Sequence, residues 1–206
     1  MMAFSTRYWT SALASRWTLA LCLMLAVFVT GTARATEIAA MRLERTPEAL
    51  LVSAQVRFDL PAVVDDALQK GIPLFFVAEA VLLRDRWYWY DKEVARASRH
   101  MRLSYQPLTR RWRLLVSNGP ITNAGQALGQ TFDTLDEAMG VVRRISGWKI
   151  ADLQEAESDP RYAVTLRFRL DVSQLPRPFQ IGLVGQDDWN IVTSRTLRLG
   201  APEVTP

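Results

Sequence analysis

A chain of 206 residues with one histidine, one cysteine and a formal charge of +4 is long enough for one domain with a real core. It is too poor in histidine and cysteine for clustered metal or thiol chemistry. Hydrophobic residues make up 49%, which sets it apart from disordered chains.

Residues 1–35 read as a cleavable export signal. Arg7 and Arg16 supply the positive flank, Thr18 to Thr30 is a short apolar run, and Ala33-Arg34-Ala35 offers a small-x-small cleavage site. The run is shorter than the ~20 residues a membrane span needs; an uncleaved anchor is the competing reading. Leu21 before Cys22 argues against a lipoprotein site. Cleavage removes three of the 25 basic residues and the cysteine but no acid, leaving 22 basic against 21 acidic residues. Disulfides are then excluded, and nucleic-acid binding, which calls for a basic face, is not expected. The expectation is a periplasmic protein whose residues 36–206 form a single β-rich domain with no stable membrane span.

Glu37 to Arg45 reads as a first strand and Thr46-Pro47-Glu48 as a turn. Leu50, Val52, Ala54, Val56, Phe58 and Leu60 alternate with mostly polar residues, the pattern of a half-buried strand. Pro61 to Lys70 reads as a short helix closed by Gly71, with Val64, Ala67 and Leu68 on its apolar face.

Leu74 to Leu83 is apolar on both parities except at Glu79, which predicts a strand buried on both faces, one against another sheet or the barrel interior and the other under a helix. Glu79 requires an arginine partner or a wet edge. Beyond Leu83, Arg84, Arg86, Tyr88 and Tyr90 share one parity while Trp87 and Trp89 share the other. An unbroken strand would make the first four an arginine–aromatic strip; a bulge near Asp85 would reverse the faces. With Tyr105, the residues Arg84, Arg86, Trp87, Tyr88, Trp89 and Tyr90 are the candidate partner-binding set, because aromatic and arginine side chains concentrate binding energy in interfaces. Packing of core and rim is the competing reading.

Lys92 to Arg102 fits helix or strand, and the Gln106–Arg110 turn between Arg102–Tyr105 and Arg111–Val116 favours a hairpin. Ser117 to Gln130, rich in Asn, Gly and Gln, reads as a loop. Thr134-Leu135-Asp136-Glu137 matches a capping box for an amphipathic helix ending near Ser146-Gly147. Trp148 to Leu153 is a candidate strand. Tyr162 to Val172 alternates most clearly of all, Leu175-Pro176-Arg177-Pro178-Phe179 breaks it, and a last strand is expected within Trp189–Leu199.

No calcium loop, phosphate-cradling glycine loop or nucleophile elbow is present, and His100, the sole histidine, reads as a surface residue. No metal, cofactor or catalytic residue is assigned. Glu79 with Asp85 or Asp91 is the one formal carboxylate pair for glycoside chemistry.

The segments Arg84-Asp85-Arg86-Trp87-Tyr88-Trp89, Arg102-Leu103-Ser104-Tyr105 and Leu175-Pro176-Arg177-Pro178-Phe179-Gln180 resemble those of an exported proteobacterial family of signal-peptide proteins, domain of unknown function family 4390. The similarity covers nearly the whole chain after the signal. That family has no assigned catalytic residues, so the resemblance implies none here. It implies an envelope-signalling setting, because members are encoded near membrane sensor kinases; an inner-membrane protein such as a sensor kinase is the expected partner.

The fold expected is mainly β, an antiparallel β-sandwich or partly closed barrel with two short covering helices. Helices and doubly apolar strands argue against a membrane barrel. The function expected is a non-catalytic binding module. A carrier of an apolar small molecule and a carboxylate-dependent hydrolase are the alternatives.

Overall fold

In the computed structural model, the described residues are 36–86, 90–121, 128–152, 162–176 and 189–199. The expected signal at 1–35, the Trp87-Tyr88-Trp89 segment and residues 177–180 lie outside them.

The fold is mostly β, with two antiparallel sheets and no closed barrel. One sheet has three strands: β1 (Glu37–Arg45), β2 (Ala49–Arg57) and β7 (Arg144–Asp152), in the order β1-β2-β7. The other has six: β3 (Leu74–Arg84), β4 (Lys92–Gln106), β5 (Arg111–Ser117), β6 (Leu128–Phe132), β8 (Tyr162–Leu170) and β9 (Val192–Arg198). Their order is β6-β5-β4-β3-β8-β9.

Alternation builds the core between the sheets. On β3 the even positions Leu74, Phe76, Ala78, Ala80 and Leu82 are buried in one cluster with Leu166 and Phe168 of the neighbouring β8 and with Val52 and Val56 of the three-stranded sheet. Phe58, Phe76 and Phe168 meet at its centre with ring centroids 5.4–5.8 Å apart, the spacing of favourable aromatic contact. Val56, Phe58, Leu166 and Phe168 are all buried, as the alternation predicts.

Both helices serve this inner layer. Helix α1 (Ala62–Gln69) contributes Val64, Ala67 and Leu68 to it, and α2 (Leu135–Arg143) contributes Ala138, Met139 and Val142. The expectation of a helix over the second face of β3 is therefore corrected. Each helix has only one apolar stripe, and both stripes are spent at the edges of the inter-sheet core. The capping box is present: the Glu137 N–H donates to Thr134 Oγ1 (3.3 Å) and the Thr134 N–H to the Glu137 carboxylate (3.4 Å). Helix α2 stops at Arg143, short of the expected Ser146-Gly147, because Ile145, Trp148 and Ile150 are wanted on the buried face of β7.

Irregularities lie where the sheets are tied. The β1–β2 register shifts between Ile38 and Ala40, and Arg195 of β9 donates to the carbonyls of Ile38 (2.9 Å) and Ala39 (3.1 Å) there. A shift in the β2–β7 pairing falls at Gly147, whose φ of 53° is left-handed and suits glycine, and whose N–H donates to Ser53 Oγ. The expected loop Ser117–Gln130 overlaps β6 at Leu128–Gln130, where the chain is strand. The residues of β6 are nearly all exposed, so they show no apolar alternation, and only backbone pairing to β5 defines the strand.

Candidate functional site: an arginine-lined sheet face

The face of the six-stranded sheet turned away from the inter-sheet core is built from the polar parity of the flanking strands and the odd positions of β3, which are apolar except at Glu79. β5 brings Arg111, Arg113, Leu115 and Ser117; β4 brings Arg102, His100, Ser98 and Arg96. β3 adds Phe75, Val77, Glu79 and Val81, β8 adds Arg169, Arg167 and Thr165, and β9 adds Ser194, Thr196 and Arg198. Register places them in rows: Leu115–Arg102–Phe75, then Ser117–His100–Val77–Arg169, then Ser98–Glu79–Arg167–Ser194. Phe75, Val77 and Leu115 are buried yet stand apart from the inter-sheet cluster, so they form an apolar floor. Arg102 lies over the Phe75 ring, 5.6 Å from its centroid.

The carboxylates on this face are already committed. Arg96 pairs with Glu79 and with Glu93 (2.6 Å to the latter), which supplies the partner that Glu79 required. These bonds raise the Arg96 guanidinium further above its ordinary value, and hydrogen bonding from Arg96 lowers Glu93. Asp171 follows β8 and accepts from Arg169 (3.2 Å), the Ser173 hydroxyl (2.7 Å) and Gln174 (2.8 Å). Burial alone would raise the Asp171 carboxyl; the Gln174 and Ser173 hydrogen bonds and the Arg169 charge outweigh it and hold the group below the usual range. Arg111 pairs with Asp133 and Arg198 with Asp85. Among the described residues, Arg102, Arg113 and Arg167 have no carboxylate partner, and Arg113 and Arg167 are exposed.

His100 sits within the face, half-buried, and is not the plain surface residue expected. Burial lowers its imidazole; Asp171 and Glu79 push the other way, and Arg169 adds to the lowering. Its neutral form is favoured, with Nδ1 buried and no partner for it among the described residues.

The sequence-derived candidates divide between two ends of the sheet. β3 ends at Arg84, so Arg84, Arg86 and Tyr90 do not continue along one strand. The irregularity falls in β4 at Val94, since Leu82 pairs with Ala95 and Leu83 with Glu93 while the β3–β8 pairing runs without a shift. Arg84 therefore stays on the inner parity, half-buried, 5.5 Å over the ring of Tyr162. Arg86 is exposed and Tyr90 is 88% exposed. Trp87, Tyr88 and Trp89 lie outside the described residues. Tyr105 packs on Trp112, centroids 4.7 Å apart, near the far end of β4 from Lys92, which pairs with Arg84. Thirteen residues of strand at ~3.3 Å each put it about 40 Å away, so Tyr105 and Arg84 belong to different surfaces.

The carboxylate-pair chemistry does not fit this geometry. Glu79 and Asp85 are six residues apart in extended chain, about 20 Å. Asp91 precedes Lys92, the partner of Arg84, so it lies at that same distant end. Paired glycosidase carboxyls stand about 5–9.5 Å apart. Among the described residues no group of three or more His, Cys, Asp or Glu could hold a metal ion, and no helix is long and apolar enough to cross a membrane.

The arginine face had a signal in the sequence. Arg96 and Arg102 in β4, Arg111 and Arg113 in β5, and Arg167 and Arg169 in β8 each sit on the polar parity of their strand. What the sequence lacked was the strand order that brings the three strands to one face.

The family model "Domain of unknown function (DUF4390)" matches residues 33–198. The chain belongs to this family. That match spans every strand and both helices of the fold. No curated protein and no solved structure matches the chain. As a member of DUF4390 it inherits no assigned chemistry, so function is argued from the site alone.

Proposed function

We propose that this DUF4390 protein is a non-catalytic binding module of the bacterial envelope, and that the outer face of its six-stranded sheet is the surface that meets an anionic partner. The observation that supports this most is the imbalance of charge on that face. Its acids are held by Arg96 and Arg169, while Arg113 and Arg167 are presented to solvent around an apolar floor. Guanidinium groups match carboxylate and phosphate geometry bidentately, and an apolar floor beneath them strengthens such pairs by excluding water. Export through the 1–35 signal and a sensor kinase or another inner-membrane protein as partner belong to the same reading; both come from the signal pattern and the family resemblance. The exposed Arg86 and Tyr90 at the β3–β4 connection are a second candidate contact of the same reading.

The carrier reading is less well supported, since three phenyl rings fill the centre of the inter-sheet layer. The test is a crosslinked pull-down from envelope extract with Arg113→Glu/Arg167→Glu beside the parent chain and beside Arg84→Ala/Tyr90→Ala. Loss of the recovered partner with the double charge reversal, at an unchanged melting temperature, is expected. An unchanged partner list with that variant overturns the reading.

A further inference from the structure

β6 closes one side of the six-stranded sheet, and among the described residues it pairs only with β5. Exposed edge strands are ordinarily guarded by charge, proline or a bulge. Leu128-Gly129-Gln130-Thr131-Phe132 has no charge and no proline, and its pairing with β5 runs without a register shift. Leu128 is 79% exposed. Alternate residues of such a strand turn their N–H and C=O groups outward, ready to accept another strand.

Gly129 adds chemistry to this edge. A Cβ placed on it would lie 3.2 Å from Leu115 Cδ2 and 3.9 Å from both Nε and Nη2 of Arg113. Arg113 pairs in register with Thr131, so its side chain leans diagonally over the bare backbone of Gly129, to the margin of the sheet. A residue on an added strand opposite Gly129 would have its Cβ about 4.5–5.5 Å away, within reach of that guanidinium. Pairing of two copies through β6 is disfavoured. With the five residues of β6 fully overlapped, the antiparallel twofold axis would put both Arg113 guanidiniums on one face as diagonal neighbours, about 7–8 Å apart.

We propose that the free edge of β6 accepts an extended segment of a protein partner as a seventh strand, with alternating acidic and apolar residues. Its carboxylates meet Arg113 on the outer face, and its apolar residues lie beside Leu128 on the other. This rests on the binding-module reading and names the mode of contact, strand addition.

The probe is a fluorescently labelled peptide of alternating valine and glutamate, titrated against the full chain and followed by anisotropy. Its control carries glutamine for glutamate. Saturable binding is expected, weakened at least tenfold by Arg113→Glu and by the glutamine control. Gly129→Val should weaken it as well, Arg167→Glu should weaken it less than Arg113→Glu does, and Arg144→Glu, exposed on the three-stranded sheet, should change it less than twofold. Hydrogen exchange of the β6 amides should slow when the peptide is bound. Melting temperatures of the variants show that each is folded, and Arg113→Gln serves if Arg113→Glu is not. Absence of saturable binding, or equal binding of the control, overturns the proposal. An equal loss with Arg167→Glu also overturns edge addition while leaving the broader face reading intact. Self-association of the chain abolished by Gly129→Val, without peptide binding, would make a second copy the occupant and overturn it too.

Discussion

His100 and Asp171 lie on the same sheet face and titrate under opposite balances. For His100, burial favours the neutral ring, so the folded chain takes up this proton at lower pH than the unfolded chain. Stability from this site is complete above the unfolded value of about 6.5 and declines as pH drops below it. Replacing His100 by Gln should flatten the fall in melting temperature between about pH 6.5 and 5; an unaltered slope would contradict the burial of the imidazole. For Asp171 the carboxylate form is favoured in the folded state. Its contribution is complete above the unfolded carboxyl value and is lost as pH falls through the lower folded one. Asp171→Asn should cost about 1–3 kcal/mol at neutral pH, with the deficit shrinking in acid. Denaturant unfolding at two pH values measures it. The sequence hinted at neither balance. A lone histidine has no local pattern, and the groups that tune it come from β3, β8 and the turn after β8, far apart in the chain.

Among the elements, those built on apolar alternation or on a capping signature were legible, and those built on backbone pairing alone were not. β2, β3 and β8 repeat apolar residues every second position against one core, so their faces could be read directly. Phe168→Ala should cost about 3–5 kcal/mol, since Phe168 is fully buried between Phe58 and Phe76. A small loss in denaturant unfolding would contradict that packing. Thr134→Ala should cost about 0.5–2 kcal/mol through the capping box, and Thr134→Ser should restore most of it. β6 escaped notice because an exposed strand of Gly and Gln carries no apolar rhythm. The end of β3 at Arg84 escaped because apolar and aromatic residues run on past it. The skipped residue proved to be Val94, one strand away from the position where the sequence invited a bulge.

At the scale of the whole molecule, the near-neutral balance of the chain after residue 35 conceals a strong asymmetry. Net charge sums over all surfaces, whereas binding depends on which residues share one. Six strands in the order β6-β5-β4-β3-β8-β9 collect arginines from β4, β5 and β8 on one side, while their acids are spent in ion pairs. Among the described residues, the three-stranded sheet and both helices lie on the opposite side. Placing a photo-crosslinking residue at Ser194, exposed on the outer face of β9, or at Gln55, exposed on the small sheet, separates the two sides in one comparison. Illumination in envelope preparations should give a discrete crosslinked species from position 194 and none from position 55. Crosslinking from 55 alone, or equally from both, would contradict the assignment of the arginine-lined face as the binding surface.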